Sequence, residues 1–105
     1  MPGFDPSNLG GMMAGMQQQM QRLQDQAAAT EVSASAGNGL VTVVATGAQE
    51  IVAVRIEAAA MEDRELLEDL VAAATNEALR RSKEAVAARL AELASAMGLP
   101  PGLLG

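Results

Sequence analysis

A helical stretch of unusual length, residues 62–97, sets the shape that this sequence can take. Acidic residues open the stretch, where the helix dipole favours negative charge, and Gly98 with Pro100 and Pro101 ends it. At 1.5 Å per residue such a helix is about 54 Å long, which exceeds the width of a domain of this size. Part of the helix must therefore project beyond the body of the fold.

The apolar residues of this stretch form two stripes. The first stripe consists of Leu67, Leu70, Val71, Ala74 and Ala78, and the second consists of Leu79, Val86, Leu90, Leu93 and Met97. The second stripe is rotated around the helix axis, which indicates that the packing partner changes near residues 79–83. We expect the first half of the helix to pack on a sheet and the second half to pair with another helix.

The N-terminal segment has a helical pattern that suits the helix expected to pair with the second half of residues 62–97. Its apolar residues recur at steps of four and three: Leu9, Met13, Met16, Met20, Leu23 and Ala27. Ser7 or Asn8 is the predicted N-cap, and residues 1–7 are a predicted disordered tail. The methionines have two interpretations, an ordinary helix–helix core or a surface for a protein partner, since methionine repacks against varied apolar surfaces.

Between the two helices the periodicity becomes alternating, which predicts a three-stranded antiparallel meander. Residues 32–36 form the first strand, residues 40–46 the second and residues 51–56 the third. The glycine-rich turn at residues 37–39 and a second turn at residues 47–49 connect them. Six side chains are predicted to share the buried face, with Thr42 and Arg55 outside: Val41, Val43, Ala45, Val52, Val54 and Ile56.

The composition excludes most catalytic and metal-binding chemistry. The chain has no Cys and no His, and Phe4 is its single aromatic residue, so thiolate and imidazole groups are absent. The acidic residues that could suggest an acid–base pair or a hard-metal site are Glu62, Asp63, Glu65, Glu68 and Asp69. We interpret them as the solvated start of a helix. We therefore expect no enzymatic activity, no catalytic residue, no cofactor, no metal and no small-molecule substrate.

The apolar residues are numerous, but many of their side chains are small. Half of the residues are hydrophobic, but 22 of the 105 are Ala, so few large side chains remain for a core. Because sheet edges also need cover, we expect a homodimer of one α+β domain, residues 1–105, whose residues 98–105 form a C-terminal tail. No signal-peptide pattern or membrane-spanning stretch is present, which predicts a cytoplasmic protein without membrane contact.

The net charge is −6, yet the C-terminal quarter is positive. It carries Arg80, Arg81, Lys83 and Arg89 against Glu84 and Glu92. These cations could contact the phosphates of a nucleic acid. Because the chain has a single aromatic residue to stack on the bases of single strands, the nucleic acid would be duplex DNA. The alternative is a salt-bridged surface, since Glu77 and Arg81, like Arg80 and Glu84, are four residues apart on a helix.

Residues 67–81 look like the signature helix of a known family. A Gln- and Met-rich first helix, the hairpin at residues 37–41, the Gly47 turn, residues 54–56 and residues 97–102 follow in that family's order. Together they make the chain resemble the YbaB/EbfC family of bacterial nucleoid-associated proteins.

The resemblance implies a tweezer-like homodimer that binds duplex DNA and associates with the nucleoid. Arg80 and Arg81 match the signature helix by position, whereas the first helix has glutamines and Arg22 where relatives often carry several lysines. The predicted DNA-binding residues are Arg22, Arg80, Arg81, Lys83 and Arg89. They are expected to contact backbone phosphates, with possible effects on nucleoid organisation and gene expression. The alternative function is a protein–protein adaptor that uses the Met-rich helix and does not touch DNA.

Overall fold

The structure, a computed structural model, describes residues 6–96 and Gly98. Its elements are helix α1 (Pro6–Ala29), strands β1 (Glu31–Ala36), β2 (Val41–Thr46) and β3 (Ile51–Ile56), a 3-10 helix (Ala58–Glu62) and helix α2 (Arg64–Ala96). The predicted α+β order of helix, antiparallel meander and long helix is confirmed. Residues 1–5 and 99–105 of the two predicted tails, and Met97 of the second stripe, lie outside the described residues.

Helix α1 begins at Pro6, earlier than the predicted N-caps Ser7 and Asn8. Proline suits the first turn of a helix, because its φ is preset and an N–H group there has no helical partner. Pro6 and Ser7 therefore belong to the helix and not to the predicted tail.

Helix α2 is the predicted long helix, with 33 residues and a length of about 50 Å. Asp63 caps its start, where its Oδ1 accepts a hydrogen bond from the Leu66 amide at 3.1 Å. The 3-10 helix before Asp63 was not predicted. At the other end Gly98 has a φ of 79° and its amide donates to the Ser95 carbonyl at 3.0 Å, a turn that closes the helix. The principal extents of 75 × 25 × 15 Å agree with a projecting helix.

Helix α2 packs its first half across β1 and β2 of a sheet ordered β1-β2-β3. Val41, Val43 and Ala45 of β2 are fully buried beneath it, as predicted. The first apolar stripe surrounds them, with Ala74 and Ala78 at its centre. Leu79 also packs against this cluster. It was predicted to belong to the second stripe, but it faces the sheet with the residues of the first stripe.

The predicted burial of β3 is wrong. Val52, Val54 and Ile56 are 52%, 45% and 41% exposed. One reason is that α2 crosses β1 and β2, which leaves the same face of β3 without a cover. The other is a bulge between Val44 and Ala45, which pairs Ala45 with Ile51 and takes Val52 out of the expected register.

The turn at residues 46–49, between β2 and β3, contacts the C-terminal end of α1. The Gly47 amide donates to the Thr30 carbonyl at 2.8 Å. A β-carbon at Gly47 would lie 2.0 Å from the Ala27 carbonyl oxygen and 2.8 Å from Val86 Cγ2. Because this gap admits no side chain, glycine lets α1, the turn and α2 meet at one point.

Ser82, a buried residue near the middle of α2, holds the other side of the same turn. Its hydroxyl donates to the Thr46 carbonyl. Gln49, with a φ of 65°, donates through Nε2 to Ser82 Oγ at 3.0 Å and to the Leu79 carbonyl at 3.3 Å. The sequence places Gln49 in the turn but does not predict its contact with Ser82, because polar residues on a helix and in a turn are usually exposed to solvent.

Substitution of Gly47 by Ala should destabilise the fold, since the new methyl group would overlap the Ala27 carbonyl. We expect a loss of about 1–3 kcal/mol in the free energy of unfolding, measured by urea denaturation followed by circular dichroism. The matched control is Gly15→Ala in α1, where nothing lies within 4 Å and alanine favours the helix. Equal denaturation midpoints for Gly47→Ala and the unsubstituted protein would contradict the tight junction.

Candidate nucleic-acid interface

The candidate site consists of cationic side chains on the two helices, all of them exposed. Arg22 is on α1, and the other four, Arg80, Arg81, Lys83 and Arg89, are on α2. At about 100° per residue, Lys83 points about 60° away from Arg80 and about 160° away from Arg81. Within the chain the cations of α2 therefore surround the helix and do not form a single stripe.

Arg80 lies between two carboxylates of its own helix. Its Nε donates to Glu77 Oε2 at 3.0 Å and its Nη2 to Glu77 Oε1, while its Nη1 donates to Glu84. The hydrogen bond with Glu77 raises the pKa of Arg80 and lowers the pKa of Glu77 below its usual value. The interpretation of this segment as a salt-bridged surface is confirmed for Arg80.

Arg81 connects α2 to the sheet. Its Nη1 donates to the Ser33 carbonyl in β1 at 2.8 Å, and its Nε donates to Glu77 Oε1 at 3.1 Å. The pair with Glu77 follows from their spacing of four residues. The contact with Ser33 could not be predicted, because the two residues are 48 positions apart and no local pattern links them. Arg81 thus has a structural contact in addition to any role with a ligand.

Arg22, Lys83 and Arg89 differ from the two paired arginines. None of the three lies within 4 Å of a carboxylate among residues 6–96, and all are exposed. Arg64, near the start of α2, pairs with Glu68 at 3.5 Å and lies away from the projecting half of the helix. Arg22, Lys83 and Arg89 therefore keep their hydrogen-bond donors available for an anionic partner.

Helix α1 exposes an uncharged apolar surface, here called the Met face, formed by Leu9, Met12, Met13, Met16 and Met20. Its methionines are 55–67% exposed, and residues 6–21 include no charged side chain. An open groove of about 580 Å³ runs along it, lined by Met13, Met16, Gln17, Met20, Gln21 and Gln24. Within one chain these methionines do not form the predicted helix–helix core, since the less exposed residues of α1 lie at its other end, where Leu23 is half-buried and Ala27 is buried. Packing of the Met face against a second copy of the chain stays a prediction.

The described part of the chain offers no other obvious chemistry. No group of three or more acidic side chains there is arranged to hold a metal ion. None of its helices is long and apolar enough to cross a membrane. The exposed cations of the two helices are therefore the candidate ligand-binding surface of the described residues.

Comparison with known proteins gives a consistent result over nearly the whole chain. The sequence profile described as the YbaB/EbfC DNA-binding family matches residues 3–97. Among solved structures, the chain is similar to the uncharacterized protein HP0035 from Helicobacter pylori, with 28% sequence identity and a TM-score of 0.65. That similarity covers 90% of this chain and 97% of the other. The chain belongs to the YbaB/EbfC family of non-catalytic, nucleoid-associated DNA-binding proteins.

Proposed function

We propose that this protein binds duplex DNA as a homodimer, mainly through contacts to backbone phosphates, in the nucleoid of a bacterial cytoplasm. The observation that carries the proposal is the set Arg22, Lys83 and Arg89, which are exposed and have no carboxylate partner among residues 6–96. Because they are on the two helices of a member of a DNA-binding family, DNA is the anion that they suit best. Binding of this kind would influence nucleoid organisation and gene expression.

The overall charge requires that binding be local. Each chain carries −6, and a dimer doubles that value, so its distant field repels DNA. At physiological ionic strength charges are screened beyond about 8 Å. Attraction must therefore come from cations close to the phosphates, and affinity should fall steeply with salt.

The five candidate residues have different roles in this proposal. Arg22, Lys83 and Arg89 make the first phosphate contacts, since they have no competing carboxylate within the described chain. Arg80 can join them only if it leaves Glu77 or Glu84. Arg81 contributes less, because one side of its guanidinium is held by the carbonyl of β1.

The homodimer is supported by the uncovered face of β3. This strand is at the edge of the sheet, and its Ile51, Val54 and Ile56 are between 40% and 45% exposed. Met61 and Leu66, which follow it in the chain, are also exposed. If two copies of the chain paired through this region, the exposed apolar residues and the β3 edge of each copy would be buried. It would leave two sets of projecting helices to form the arms of a tweezer-like dimer.

The mass in solution tests the assembly. We expect light scattering at micromolar concentration to give twice the chain mass of 10.8 kDa, and Val54→Asp to lower it towards one chain, because a buried unpaired carboxylate is costly. The matched control is Met12→Asp on the Met face, which adds the same charge to an exposed methionine and should remain dimeric. A mass of one chain for the unsubstituted protein would refute the dimer.

Salt dependence tests the DNA contacts. Six phosphate contacts, three from each protomer, predict a log–log salt slope of about −5 and a loss of about 10³ in affinity between 50 and 200 mM salt. The triple variant Arg22→Gln, Lys83→Gln, Arg89→Gln should bind more than about tenfold less tightly, with a shallower slope. Arg64→Gln is the control, since it removes a cation that is already paired with Glu68.

An adaptor function is the second candidate, and the exposed Met face is the observation that favours it. Methionine-rich helical surfaces accommodate partners of varied shape. The DNA titration separates the two functions. No retention of duplex DNA at about tens of micromolar dimer in low salt, or retention that the triple variant leaves unchanged, would favour the adaptor over phosphate contacts.

A further inference from the structure

One carboxylate of the candidate interface, that of Glu77, contacts two guanidinium groups at once. Both of its oxygens accept hydrogen bonds from Arg80, and Oε1 also accepts one from Arg81. The Glu77 side chain is 31% exposed, against 57% for Arg80 and 51% for Arg81. An approaching phosphate would therefore meet two exposed arginines whose donors already point to a less accessible acid.

The hydrogen-bond donors of these arginines are largely in use. All three nitrogens of Arg80 donate to carboxylates, two of them to Glu77 and one to Glu84. Arg81 uses Nε for Glu77 and Nη1 for the Ser33 carbonyl. A carboxylate and a phosphate compete for the same planar donors, so a phosphate gains a full contact with Arg80 only by displacing a carboxylate.

We propose that Glu77 is an internal competitor for the DNA backbone, which holds Arg80 and Arg81 away from phosphates and thereby limits the affinity of the protein for DNA. This inference rests on the proposed function. Glu77 is charged at neutral pH, because the hydrogen bond from Arg80 keeps its pKa below the usual value. Glu84 adds a weaker restraint of the same kind, since it contacts Arg80 alone.

The test compares Glu77→Gln with Glu92→Gln in the full chain. Both variants remove one negative charge from α2, but Glu92 is exposed and has no ion pair within residues 6–96. Binding is measured by fluorescence anisotropy with a fluorescein-labelled duplex of mixed sequence. We expect Glu77→Gln to bind the duplex about fivefold more tightly than Glu92→Gln. The reason is that a phosphate no longer has to displace the exposed ion pairs of Glu77 with Arg80 and Arg81. Its salt slope should steepen by about 0.9 for each guanidinium that reaches a phosphate.

Two further variants make the result decisive. Adding Arg80→Gln and Arg81→Gln to Glu77→Gln should abolish the gain in affinity. Glu84→Gln, which releases Arg80 alone, should give a smaller gain and keeps the test valid if circular dichroism shows that Glu77→Gln does not fold. If DNA binds and neither acid variant exceeds Glu92→Gln, the inference is overturned and the proposed function stands. If neither the unsubstituted protein nor any variant binds the duplex, both are overturned.

Discussion

The meeting of three chain segments at the turn between β2 and β3 controls the rest of this structure. Gly47 approaches the end of α1 so closely that a β-carbon has no room, and the next amide, that of Ala48, donates to the Ala28 carbonyl at 3.3 Å. On the opposite side Ser82 fixes the turn to α2. Backbone carbonyls of the helix end and the strand end accept these bonds, and no buried side-chain nitrogen or oxygen atom of the described residues lacks a partner. The junction thereby links both helices to the same β2–β3 turn.

The electrostatics of the molecule follow from its small number of cationic side chains. Seven cations face thirteen carboxylates in the chain, so a cation next to an acid on a helix surface is easily neutralised. Arg80 and Arg81 are examples, and both share one acid. In the proposed function, binding of DNA by this acidic protein therefore depends on the few cations that have no carboxylate partner, and less on its total charge.

Much of the fold was predictable because it is encoded in local periodicity. The alternation in β2 gave the burial of Val41 and Val43 correctly, and the spacing of Glu77 and Arg81 gave their ion pair. The exposure of β3 was not predictable, since it depends on where α2 crosses the sheet. The exposed Met face has a similar cause, because the packing of α1 is decided by the angle at which it leaves the junction. The contact between Arg81 and the Ser33 carbonyl likewise required the tertiary structure.

A single residue, Thr30, separates α1 from β1, and its carbonyl accepts the Gly47 amide. With 24 residues, α1 is an arm of about 36 Å whose direction is set at this point. Rotating such an arm by about 10° moves its far tip by roughly 6 Å, which is similar to the width of the minor groove of B-DNA. In the proposed dimer, the spacing between two such arms would accordingly depend on the backbone torsion angles that the junction fixes at Thr30.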